Sequence, residues 1–201
     1  MSGIDDDDLP FNTRPDLSPY LVHLTKKAVG ISALNNLIEI LQTGVIRGTD
    51  SYVRGRRKAA CFLDVPFVAF KYICSKQNAG RYASYGVVIT KTFAYRKGTR
   101  PVLYLSDHEQ RRLCIPKREL WRVVKLQYSK DRSVWDSNWL HEREWRCPDE
   151  FELPDKIQAV LVKTAKEAAK LQEIINVDPA SFACIPRSII PLSVICQGLD
   201  S

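Results

Sequence analysis

The chain has no Cys-x-x-Cys pair, no Gly-x-Gly-x-x-Gly, no internal repeat and no apolar run of transmembrane length. Each absence removes a class. A bilayer-spanning helix needs about 20 consecutive apolar residues, so a helical membrane protein is not expected. Without the glycine fingerprint, and with strands and helices that do not alternate regularly, a doubly wound dinucleotide-binding sheet is not expected either. The six cysteines, at 61, 74, 114, 147, 184 and 196, lack the close ligand pairs of structural zinc, and His108, Cys114, His141 and Cys147 do not supply them. Five of the six adjoin an apolar residue, Cys147 between Arg146 and Pro148 being the exception. That reads as buried free thiols in a reducing compartment, not disulfides. Four consecutive Asp at 5–8 are the opposite of a signal peptide's basic leader, so a cytoplasmic location is expected.

What is present suits one domain. A chain of 201 residues, 45% hydrophobic and 26% charged, can bury a core of its own. Residues 1–19, with those four Asp and three Pro, read as a flexible acidic arm, and 20–201 as a single α+β domain. A net charge of +7 favours anionic partners, either nucleic acid or a phosphate-rich cofactor. Arg54, Arg56, Arg57 and Lys58 surround Gly55, just after Tyr52, and Arg111, Arg112, Lys117, Arg118 and Arg122 form a second basic stretch. Solvated surface accounts for either cluster as readily as binding does. Pattern and turn signals predict strands at 20–24, 60–63, 85–90, 102–105, 122–128, 141–147, 157–163 and 189–196. They predict helices at 32–42, 66–75, 106–113 and 165–175.

The most informative stretch is His141-Glu142-Arg143-Glu144-Trp145-Arg146. Read as a strand it alternates faces, so Glu142 and Glu144 point the same way. Like charges side by side repel, which packing avoids and acid–base chemistry uses. The other reading is a solvated edge strand whose carboxylates pair with Arg143, Arg146 or other cations. Upstream, Tyr20-Leu-Val-His-Leu-Thr25 reads as an apolar strand with His23 and Thr25 on one face. A helix follows, with Ser32 as N-cap, Gly44 as stop and Asn36 near its start.

In this order the pieces resemble the ADP-ribosyltransferase fold, specifically its DarT-type and abortive-infection (AbiGi-like) branch. The carriers are His23-Leu-Thr25; Asn36-Leu-Ile-x-Ile-Leu-x-x-Gly44-x-Ile46; Ala60-Cys-Phe-Leu-Asp-Val-Pro-Phe67; Gly98-Thr-Arg-Pro-Val-Leu-Tyr104; and Trp139-Leu-His-Glu-Arg-Glu-Trp-Arg146. The likeness runs from Tyr20 to Ile195, with a longer stretch between His23 and Asn36 than DarT enzymes have. It implies a core of two packed mixed β-sheets with flanking helices, and NAD as the ADP-ribose donor.

Breaking the nicotinamide glycosidic bond passes through an oxocarbenium-like cation, which calls for a nearby carboxylate and needs no metal. By resemblance Glu144 is that carboxylate, and Glu142 orients or activates the nucleophile, the two roles being exchangeable. His23 holds the ribose with Thr25 behind it, Asn36 serves the cofactor's other half, and Phe62 or Phe67 walls the nicotinamide. Tyr52, Arg54, Arg56, Arg57 and Lys58 would then track a nucleic-acid acceptor, RNA or single-stranded DNA. The association with abortive infection implies a toxin of anti-phage defence restrained by an antitoxin protein. Two other readings stay open. One is a metal-dependent nuclease using Glu142, Glu144 and Asp136 or Asp64. The other is a non-catalytic binding or antitoxin module on the same fold.

Overall fold

The computed structural model describes residues 16–27, 30–74 and 82–196; most of the expected acidic arm, including 5–8, lies outside the described residues. In chain order the first half contains β1 (Tyr20–Leu24), α1 (Ala33–Thr43), β2 (Val45–Arg47), β3 (Ala59–Phe62), α2 (Phe70–Ile73), β4 (Gly86–Thr90), α3 (Lys91–Arg96), β5 (Arg100–Pro101), β6 (Leu103–Leu105) and α4 (Asp107–Arg112). The second half contains β7 (Val123–Lys125), β8 (Gln127–Ser129), β9 (Val134–Ser137), β10 (Trp145–Pro148), β11 (Glu150–Glu152), β12 (Lys156–Ile157), β13 (Ala159–Val162), α5 (Ala165–Val177), β14 (Ile185–Pro186), β15 (Ile189–Pro191) and α6 (Leu192–Ile195). None of the described helices is long and apolar enough to cross a membrane.

A four-stranded sheet of order β1-β4-β13-β15 organises the core. β4 runs antiparallel to both neighbours, and β13 and β15 are parallel, joined by the crossover through α5. Alternation along these strands covers both faces. Leu21, Val87, Ile89, Val160 and Val162 pack with Leu37 and Leu41 of α1 and Leu171 of α5, while Val22, Val88 and Leu161 pack with Phe70 and Leu192. A second sheet of order β3-β10-β5 sends Ala60, Phe62 and Cys147 into the first of these cores. The two sheets meet where Val22 and Leu63 exchange backbone hydrogen bonds of 3.0 and 2.8 Å. The architecture is thus mixed helix and sheet, with the sheets joined at β1 and β3, and four further two-stranded pairs among the described residues.

Local chemistry explains the well-predicted elements. Ser32 Oγ accepts from the Asn35 amide at 3.1 Å to start α1, and Gly44 ends it at φ 68°, where a side chain is disfavoured. Four expectations are corrected. The strand expected over 122–128 breaks at Leu126 into β7 and β8, and that expected over 189–196 stops at Pro191, whereupon α6 begins. The helix expected over 66–75 opens as a 3-10 turn, Phe67–Ala69, because Pro66 holds an extended backbone before it. The strand expected over 141–147 begins only at Trp145. Cysteines are all free, but Cys114 is exposed, on a left-handed residue after α4.

Candidate active site

His23 is half-buried on β1. Its ring contacts Cys61 O through Nδ1 at 2.8 Å. A carbonyl only accepts, so Nδ1 carries the proton and the neutral ring offers Nε2 as an acceptor. Burial lowers the pKa of this imidazole, and the bond to Cys61 opposes that only in part. The approach of β4 to β1 here requires Gly86, since a Cβ would lie 2.5 Å from His23 O. Thr25, almost fully buried, takes a hydrogen bond of 2.6 Å from Asn36 Nδ2, which also donates to Lys26 O at 2.8 Å. The helix start is thereby stitched to the end of β1, and Thr25 and Asn36 are brought together despite the long intervening segment, with His23 two residues earlier on the same chain.

Across β3 lies the charged half. Cys61 pairs with Arg146 in the β3–β10 ladder. Glu144 and Arg146, two residues apart, share a face. Both are buried, and Arg146 Nε and Nη2 donate to the two Glu144 oxygens at 2.9 and 3.2 Å. Arg146 Nη1 donates to Trp121 O at 2.7 Å, and the Glu144 amide donates to Tyr104 Oη at 2.9 Å. Burial, and then the Glu144 charge, push the Cys61 thiol far above its ordinary range, while Arg146 works against that shift. Burial likewise raises the Tyr104 phenol. Each Glu144 oxygen gives a lone pair to the guanidinium fork, and the Cys61 thiol is a further hydrogen-bond partner of the carboxylate.

Glu142 does not share a strand face with Glu144, which corrects the sequence expectation. Leu140–Glu142 form a 3-10 turn and Arg143 adopts a left-handed backbone at φ 43°. The amides of Glu142 and Arg143 bond Trp139 O and Leu140 O at 3.1 and 3.2 Å, so they are spent inside the turn and not on a ladder. The Glu142 carboxylate accepts from the Tyr82 hydroxyl. Both carboxylates still face the Cys61 thiol electrostatically.

The two phenylalanines separate. Phe62 is 1% exposed, its ring against His23 and Phe151 at centroid distances of 5.8 and 5.0 Å. As a wall open to a ligand it is corrected: it is core that backs His23. Phe67 is half-buried and stacks on Tyr20 at 6.2 Å.

The basic loop is less basic than its sequence. Arg54 pairs with Asp107 at 2.6 Å and bonds Gln110, and Arg57 pairs with Asp149 at 2.7 Å. Arg56 and Lys58 are exposed and carry no carboxylate partner among the described residues. Tyr52 is 98% exposed, at φ 63°. Asp136 pairs with Arg132, and Asp64 sits between Lys91, Arg143 and Trp145. Among the described residues no group of three or more His, Cys, Asp or Glu is placed to hold a metal ion.

Cys61 and Tyr104 are the members that sequence reasoning missed; Arg146 entered it only as a partner for the carboxylates on a solvated edge, and the structure keeps that pairing with Glu144 but buries it. A signal was present for Arg146, because the alternation that linked Glu142 to Glu144 links Glu144 to Arg146 equally well.

No protein-family model matches this chain, and no curated protein matches it. Solved structures of DarT from Thermus sp. 2.9 are similar to it. The complex with NAD+ has 15% identity and a TM-score of 0.47, covering 87% of this chain and 96% of that one. The complex with carba-NAD+ has 16% identity and a TM-score of 0.49, with the same coverage. The complex with ADP-ribosylated ssDNA has 15% identity and a TM-score of 0.48, covering 87% and 95%.

Proposed function

We propose that the chain is an NAD-dependent ADP-ribosyltransferase whose acceptor is single-stranded nucleic acid, acting as a toxin of anti-phage defence or of a toxin–antitoxin pair. One observation carries the reading. Three motifs far apart in sequence converge through Cys61, whose carbonyl holds the His23 ring and whose thiol faces the Glu144–Arg146 pair. An imidazole acceptor and an oriented, water-poor carboxylate, both held through Cys61, are acceptors suited to the ribose hydroxyls in an oxocarbenium-like ribosyl transfer. NAD supplies the electrophilic anomeric carbon. His23 Nε2 accepts from a ribose hydroxyl, with Thr25 and Asn36 fixing the strand end that carries the ring. Glu144, aligned by the Arg146 fork, accepts from a ribose hydroxyl and stabilises the developing cation. Glu142, held by Tyr82, orients the acceptor, and Phe67 flanks the nicotinamide.

The acceptor is assigned from charge: Tyr52, Arg56 and Lys58 present an exposed aromatic and two exposed cations that have no carboxylate partner among the described residues, which suits a strand with unstacked bases. The Thermus DarT structures hold NAD+, carba-NAD+ and ADP-ribosylated ssDNA. An antitoxin protein is the expected partner. For the nuclease alternative, Asp64 and Asp136 are already engaged by cations and lie in no ligand cluster among the described residues.

The test is labelled NAD with single-stranded DNA, single-stranded RNA, duplex and total protein, in chelator. Label on the single strands is the expected result. Calorimetry with NAD alongside separates the alternatives, since binding without transfer points to a non-catalytic module, and neither binding nor transfer rejects the assignment.

A further inference from the structure

We infer that Asp64 and Arg143 are positioning residues that hold the left-handed turn between Glu142 and Glu144 in its productive shape. The inference rests on the proposed roles of those two glutamates. A residue with a Cβ is disfavoured at φ 43° and persists there only when its surroundings hold it. Here they do so from two sides. Arg143 Nε donates to Asp64 O at 2.6 Å while the Asp64 amide donates back to Glu142 O at 3.4 Å, a reciprocal backbone clasp. Arg143 Nη2 reaches Asp16 O at 2.7 Å, which ties the chain just before β1 to the same turn.

The Asp64 side chain closes the arrangement. Its Oδ1 lies 2.8 Å from Lys91 Nζ and 3.7 Å from Arg143 Nη2, and its Oδ2 accepts from Trp145 Nε1 at 3.3 Å. Asp64 therefore contacts residues 142, 143 and 145, which surround Glu144, without touching Glu144 itself. Lys91, the first residue of α3, donates its amide to Pro19 O at 2.8 Å, so the cation that anchors Asp64 is itself fixed to the segment before β1. Two strand entries and the start of a helix thus converge on one carboxylate whose effect is the backbone path between the two glutamates.

Asp64→Asn isolates this role, because the amide still accepts from Trp145 while the charge facing Lys91 and Arg143 is gone. A misplacement of about 1 Å at a reacting group costs on the order of a hundredfold in rate, and that is the expected fall in kcat. The KM for NAD should stay within about twofold, since His23, Thr25 and Asn36 are untouched. Amide exchange should rise at 142–145 and not in β4. Arg143→Lys, which keeps the charge but cannot fork to two carbonyls, should move both readouts the same way by less, and it carries the test if Asp64→Asn does not fold. Unchanged kcat with unchanged exchange at 142–145 overturns the inference, as does exchange rising equally throughout the sheet, which would make Asp64 merely structural. If the wild-type chain transfers nothing, the functional reading has failed, and the exchange measurement still decides on the clasp.

Discussion

Two arginine–carboxylate pairs in this molecule have nearly the same geometry and opposite surroundings. Arg57 and Asp149 approach to 2.7 Å with side chains 44% and 63% exposed; Arg146 and Glu144 approach to 2.9 Å with side chains 4% and 8% exposed. The shorter approach is the weaker one. In water the attraction is screened and two long side chains lose entropy to hold it, leaving about 0.2–1 kcal/mol. Around Glu144 water is excluded, so each charge depends on the other, and the pair orients a carboxylate that the exposed pair could not hold still. Distance does not rank these interactions; burial does.

Breaking one partner at each place tests that ranking most directly. Arg146→Ala leaves Glu144 buried without its counter-charge, and Glu144→Gln does the reverse; each should cost about 3–5 kcal/mol, roughly 6–20 °C in melting temperature for a domain of this size. Asp149→Asn should lower the melting temperature by no more than about 4 °C. Loss of transfer in Glu144→Gln is then ambiguous between chemistry and folding. Replacing both buried residues, Glu144→Leu with Arg146→Met, removes the ambiguity, since exchanging a buried ion pair for apolar side chains is often neutral or stabilising by about 1–4 kcal/mol. A folded double variant with no transfer assigns the chemistry to the pair. Comparable melting shifts for Arg146→Ala and Asp149→Asn would remove the contrast between the two regions.

The same contrast governs what could be read in advance. Periodicity and caps located β1, α1, β4 and α5, because a helix start with Ser32 or a strand with alternating core residues is a local fact. The motifs that make up the candidate site were visible as residue types. What was not visible was the turn at 140–143: its amides close locally on Trp139 and Leu140, but its left-handed residue is held by Asp64 and Asp16, and those contacts are matters of tertiary structure. Nor was the neutralisation of Arg54 and Arg57, whose partners Asp107 and Asp149 are distant in sequence. Charge read from a run of basic letters overstates the surface it makes. Phe62 misled for a related reason: an aromatic beside a site residue is as often behind it as in front of it.

His23 offers a smaller, pH-dependent effect on the buried side of the comparison. Its folded pKa is depressed chiefly by burial. The unfolded chain therefore binds the proton at higher pH than the folded one, starting near the ordinary value of about 6.5. By linkage, stability is fully present above that value and falls as pH drops below it towards the folded pKa. Protonation leaves Nδ1–H and its bond to Cys61 O in place but removes the Nε2 lone pair, so NAD affinity should hold until the pH reaches the depressed folded pKa and fall below it. His23→Gln should have a flatter stability profile between about pH 7 and 5.5, above the range where carboxylates titrate. Equal slopes for the two proteins would mean that His23 is not the group titrating.

The smallest effects are expected in the basic loop, where the comparison can be sharpened residue by residue. Removing one cation that neutralises a phosphate flattens the log–log dependence of affinity on salt by about 0.7 for a single strand. Arg56 and Lys58 have no carboxylate to leave among the described residues, so Arg56→Ala and Lys58→Ala should each show that change. Arg54 and Arg57 must first give up Asp107 and Asp149, whose carboxyls they hold below their ordinary range. Arg54→Ala and Arg57→Ala should therefore flatten the slope by less than Arg56→Ala does. Tyr52→Ala should leave the melting temperature unchanged, because the ring is 98% exposed. It should nevertheless weaken single-strand affinity by about 1–3 kcal/mol at any salt concentration if a base stacks on it. NAD affinity should be the same in all five variants. A uniform change of slope across the four cations would show that the ion pairs open on binding, whereas no change at any of them would move the acceptor surface elsewhere and make a protein acceptor the leading alternative.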